Sequence, residues 1–128
     1  MVRKKLNLIL GTSPDGNGGI CSVIKNYKRN LKFKNVKSKI LVTHQTGKNK
    51  ISKIFIFLKS ILSFFFYVIS YDIKIINIQV SSYGSFYRKF FFVIFCCFFD
   101  FKYFFHIHSG SFIKFYKESN FFLKKAIF

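Results

Sequence analysis

Two histidines, His106 and His108, close an apolar run and open onto a small-residue turn, Ser109–Gly110–Ser111. A titratable ring at the end of a strand is easily shown to a ligand, and imidazole can hold or release a proton near neutral pH. Two-residue spacing puts both rings on one side of a strand. The position beside the turn assigns His108 a role toward a ligand and His106 a structural one. Two further polar edges follow apolar runs: Gly11–Gly19 (GTSPDGNGG) and Val80–Lys89 (VSSYGSFYRK). In the first, Gly18 and Gly19 stand at a helix start, where free backbone N–H groups and the positive helix end favour an anion. The second carries two adjacent cations, Arg88 and Lys89. Chains that alternate strands and helices bind ligands past the carboxyl ends of their strands, so the three edges predict one crevice built from separate loops. A bland reading stands beside each: a capped loop for the glycines, a hydrogen-bonded structural residue for each histidine. His44 has only a loop position to recommend it.

Several chemistries fail on spacing. Gly16 and Gly18 begin a G-x-G-x-x-G pattern, but Cys21 stands where the third glycine belongs. The second strand ends in Thr43–His44 rather than in an acid that could hold a ribose. Thr46–Gly47–Lys48 is followed by Asn49 and lacks the upstream glycine of a P-loop. NAD binding and P-loop NTPase activity are therefore not expected. Cys21, Cys96 and Cys97 show no metal spacing, and no pair of histidines is set three or four apart, so neither metal nor cofactor is expected. The three thiols read as reduced and mostly buried. The amino terminus, MVRKKLNLILG, has a basic start but too short an apolar stretch for a signal peptide, which points to a cytoplasmic chain.

The elements needed to position these edges alternate. Strands are expected at Lys5–Leu10, Lys39–Thr43, Ile73–Val80 and Tyr103–His108. Helices are expected at Ile20–Leu31, Ile51–Ser70 and Ser85–Phe99, with Lys32–Lys37 a basic connector, His44–Lys50 a polar loop and short helical pieces at the end. This alternation predicts an α/β fold: a Rossmann-like parallel sheet with helices on both faces, in one domain spanning 1–128. The rival reading is membrane insertion. Ile51–Ile69 is nearly long enough to span, but a charged residue near the centre of a span costs about 2.5–3.5 kcal/mol. Lys53, Lys59, Ser60 and Ser63 are expected to form one polar stripe of a helix lying on a sheet. Phe90–Phe99 is too short to span.

Composition adds a charge argument. There are 22 Lys+Arg against four acids, a formal net charge of +18, with 21 Phe and no Trp. Such a chain favours anionic partners: phosphates, nucleotides or acidic headgroups, the last at the inner face of the cell membrane through basic and aromatic surfaces. The lysines are dispersed and no nucleic-acid-binding pattern occurs, so nucleic acid is not expected as a partner.

Taken in order, Gly18–Ile20 with its amphipathic helix, Ser81–Lys89 and His106–Phe112 (HIHSGSF) resemble the amino-terminal half of GT-B glycosyltransferases of the family 4 group. The resemblance implies a retaining, nucleotide-sugar-dependent enzyme that transfers a sugar to a glycan or lipid-linked acceptor, as in cell-surface polysaccharide synthesis. It implies that Gly18 and Gly19 approach the donor diphosphate, that His108 lies near the transferred sugar, and that Arg88 and Lys89 serve the acceptor or phosphate side. The family's second domain carries a pair of glutamates, whereas this chain holds one glutamate, Glu118. The expectation is an incomplete, acceptor-side domain without the donor-binding domain, completed by a separate polypeptide, poorly soluble and with exposed apolar area. The alternative is a small, basic, membrane-associated protein that is not an enzyme.

Overall fold

The computed structural model describes residues 2–30, 36–81 and 83–127. Leu31, Lys32 and Ser82, which belong to the expected first helix, the connector and the second polar edge, lie outside the described residues. The order is β1 (Lys5–Thr12), α1 (Gly19–Asn30), β2 (Lys37–His44), α2 (Lys50–Ser70), β3 (Asp72–Val80), α3 (Gly84–Phe98), β4 (Tyr103–Ile107), α4 (Phe112–Glu118) and α5 (Phe121–Ile127). The strands form one parallel sheet in the order β2-β1-β3-β4, a Rossmann-like α/β arrangement. The expected elements are present, with ends shifted. β1 runs on to Thr12, β2 takes in His44 where a loop was expected, and β4 stops at Ile107, leaving His108 just beyond it.

Alternation along each strand decides which face each residue serves. Leu6, Leu8 and Leu10 of β1, Leu41 of β2 and Ile76, Ile78 and Val80 of β3 point to the side covered by α2 and α3. There they meet Phe64, Phe86, Phe92, Val93 and Cys96, and Phe112 and Phe115 of α4 close the end of this core. Ring pairs knit it, such as Phe64–Phe92 at 5.3 Å and Phe86–Phe115 at 5.2 Å, distances at which offset or edge contacts are favourable. The opposite face carries α1. A Cβ at Gly11 would collide with the Ile24 side chain, so a glycine is what lets α1 lie close on β1.

α2 lies on the sheet with a polar flank and an apolar outward side. Asn49 caps its start, its side chain accepting from the Ser52 N–H at 2.8 Å. Ser60 is buried against the sheet and donates to the Phe57 carbonyl at 2.6 Å, while Lys59 is exposed. Lys53, Lys59, Ser60 and Ser63 lie along one flank of α2, from buried Ser60 to exposed Lys59. The outward face is apolar, with Ile51, Phe55, Leu58, Leu62, Phe66 and Ile69 all more than half exposed. At 3.6 residues per turn the four polar positions fall within an arc of about 120°, a flank between the sheet-facing side at Phe64 and the outward apolar side.

Candidate functional site

The sheet order reverses between β1 and β3: from β1 the chain moves outward to β2, then crosses back to β3 on the other side. Crevices form outside the strand ends at such a switch point. Here the gap holds a crevice of about 260 Å³, lined by Thr12, Asn17, Gly18, Gly19, Ile20, Cys21, His44, Thr46, Ser81, Ser85, Arg88 and Lys89. Gly18 and Gly19 at the start of α1 and Arg88 and Lys89 of α3 thus come together although β2, α2 and β3 lie between them in the chain. No carboxylate is among these lining residues.

Its floor is set by hydrogen bonds at the ends of β1 and β2. The register shifts between Gly11 and Thr12. Thr12 Oγ1 donates to the His44 carbonyl at 3.0 Å, Ser13 N–H donates to the same carbonyl at 2.8 Å, and Thr43 Oγ1 donates to Gly11 O at 3.0 Å. These bonds turn the chain out of β1 toward the glycines. Gly18 has a φ of +123°, a conformation an L side chain rarely adopts. A Cβ at Gly19 would meet nothing within 4 Å, so this first residue of α1 presents open backbone.

The cations come from α3. Lys89 is 2% exposed, its Nζ donating to Ser85 Oγ at 3.0 Å. Burial, with Arg88 adding repulsion, brings its ammonium down to about 7. Burial also lowers Arg88, whose Nε is a buried donor without a hydrogen-bond partner among the described residues. His44 is lowered by burial and then by Arg88, Lys53 and Lys89, which leaves a neutral ring at the rim. A half-buried guanidinium, a buried lysine and open backbone N–H groups, with no countercharge among the described lining residues, leave this crevice electrically uncompensated.

His108 does not line this crevice. It lies past β4 on the α1 side of the sheet, where its ring stacks on His106 with centroids 4.3 Å apart and its backbone N–H donates to Val80 O at 2.9 Å. His108 Nε2 bonds Gln79 Oε1. An amide oxygen only accepts, so Nε2 carries the proton and Nδ1 is left with a lone pair. Burial, then the His106 ring and Lys89, lower His108 from its ordinary value, keeping it neutral. His106 Nδ1 accepts from the Tyr27 hydroxyl at 3.0 Å, with the Gln79 amide nitrogen at 3.4 Å. Gln79 Nε2 also donates to Asn77 Oδ1 at 2.7 Å. Fully buried Gln79 therefore ties the two histidines together.

His44, Thr12, Thr46 and Ser85 were not singled out by the sequence reading. The strand-end rule applied to Thr43–His44 would have found His44; Ser85 had no signal beyond its place one turn before Lys89. Among the described residues no cluster of metal-ligating side chains occurs. No family model, curated protein or solved structure matches the chain.

Proposed function

We propose that the crevice binds the phosphate groups of a nucleotide sugar and that the chain is the acceptor-side domain of a glycosyltransferase. The observation that carries this reading is the convergence of the Gly18–Gly19 backbone with half-buried Arg88 and buried Lys89 at the switch point, with no carboxylate among the described lining residues. A diphosphate supplies the countercharge these groups lack. Arg88 Nε, otherwise unpartnered, gains an acceptor, and charge-assisted bonds of this kind are about twice as strong as neutral ones.

The resemblance to family 4 GT-B enzymes supplies the reaction: retaining transfer of a sugar to a hydroxyl of a glycan or lipid-linked acceptor, with a second domain holding most of the donor. His108 faces the sugar in this reading. Its Nδ1 lone pair accepts a hydrogen bond from a sugar hydroxyl while Gln79 holds the ring, and it is not assigned as a general base. Arg88 and Lys89 stabilise charge on the departing diphosphate.

Isothermal titration of UDP and GDP tests the binding step. Saturable binding that is lost in Arg88→Gln and Gly19→Val chains supports the reading. Equal affinity of the variant and parent chains removes the crevice as the phosphate site. Turnover, measured with a completing domain, is a separate test of the transfer step.

A further inference from the structure

We propose that the outward face of the α2–α3 layer docks on an anionic lipid bilayer, with both helices lying in the plane of the membrane. α2 is apolar on two sides, but the sheet occupies only one. Ile51, Phe55, Leu58, Leu62, Phe66 and Ile69 recur at three- and four-residue steps, and each is 52–75% exposed. Ile94 and Phe98 of α3, 53% and 80% exposed, extend the same surface. Phe65–Phe95 at 4.9 Å and Phe57–Phe91 at 6.1 Å close the seam between the helices. Contiguous exposure on this scale marks an interaction face rather than scattered surface residues.

Charge selects the occupant. Lys48 and Lys50 stand exposed at the amino end of α2, and Lys59 is exposed on its flank. Arg3 and Lys4 share a hollow with Phe66 and Ser70 at the carboxyl end. Neither α2 nor α3 contains an acid. A second copy would bring +18 against +18. Acidic headgroups meet the basic frame while the apolar side chains enter the acyl boundary, and the lysine stems lie along the apolar surface with their charges outward.

α2 is also long and apolar enough to cross a bilayer by length and composition. Its inner face argues for lying flat. Phe64 is 1% exposed and Ser60 2%, both against the sheet, and spanning would strip that face from the core. The attachment is independent of what the crevice binds.

The chain has no tryptophan, so Leu62→Trp places a single reporter in the face, and Ile113→Trp, on the exposed side of α4, serves as a control away from it. Full chains are made by cell-free translation with vesicles of phosphatidylcholine alone or mixed with phosphatidylglycerol, then floated on a density gradient. The expected result is flotation with the anionic vesicles, reduced by salt and on neutral vesicles. The Leu62→Trp emission is blue-shifted and quenched by brominated acyl chains, and the Ile113→Trp emission is not. Leu58→Glu with Leu62→Glu lowers the bound fraction more than about tenfold. Lys50→Gln with Lys59→Gln leaves the apolar face intact and weakens binding to anionic vesicles about fivefold per lysine. Undiminished flotation of the glutamate variant, an unquenched Leu62→Trp, or retention through an alkaline wash overturns the proposal. So does a discrete dimer without vesicles that the glutamates dissociate, which would make a second copy the occupant.

Discussion

Lys89 Nζ donates to Ser85 Oγ at 3.0 Å, one helical turn away, so a nearly buried ammonium is held by a hydroxyl in a crevice lined by no carboxylate. Desolvation then dominates its titration, and the ammonium falls to about 7. The consequence is a pH dependence of opposite sign to that of a salt-bridged lysine.

In the unfolded chain Lys89 keeps its ordinary value of 10.5. Between about 7 and 10.5 the unfolded state therefore binds more protons, and stability rises with pH across that window. Below about 7 the lysine is charged in both states and the full penalty is present. Lys89→Met should abolish this rise and stabilise the chain at neutral pH by about 1–3 kcal/mol, the usual cost of a poorly satisfied buried polar group. Urea denaturation at a series of pH values checks it.

Anion binding should show the complementary trend. An anion prefers the protonated lysine, so affinity for UDP falls as pH rises through about 7. The Lys89→Met chain is the control for the ligand's own titration and should lose this component. Parallel pH profiles for the two chains would exclude Lys89 from the site.

Gly18 and Gly19 separate backbone strain from ligand access. At a φ of +123° Gly18 is strained by any side chain, so Gly18→Val should lower stability whether or not ligand is present. Gly19 has open space at its Cβ. Gly19→Val should leave the thermal midpoint nearly unchanged and reduce UDP affinity by about tenfold or more, because the branched side chain stands where the anion approaches. Thermal melts and titration of both chains decide the matter.

The histidine pair predicts a division of labour. His106→Ala leaves the Tyr27 hydroxyl without its acceptor and should cost about 1 kcal/mol of stability. His108→Ala also frees Gln79 Oε1. In an assembled two-domain enzyme it should in addition cut turnover per folded molecule by about tenfold or more. If both substitutions lower stability equally and leave turnover unchanged, both rings are structural.

Core and surface phenylalanines on the same helix should differ sharply. Phe64 is 1% exposed and touches Phe92, whereas Phe66, two residues on, is 60% exposed. Phe64→Ala should cost about 3–5 kcal/mol, and Phe66→Ala should fall within about 0.5 kcal/mol. Chemical denaturation without lipid measures both.

The sequence alone determined the alternation of strands and helices, because hydrophobic period and glycine breaks are local signals. It also located the three polar edges, since each follows an apolar run. Even so, β2 was read as ending at Thr43, because His44 looks like loop until its carbonyl is seen to accept from Thr12 and Ser13. Strand order is not written in local periodicity. Only the tertiary structure put β1 beside β3, and so brought Gly18–Gly19 against Arg88 and Lys89 while leaving His108 on the far side of Gln79. The outward face of α2 was likewise undecidable from sequence. Its apolar residues surround the helix, and the side that is buried is fixed by which one the sheet and α3 occupy.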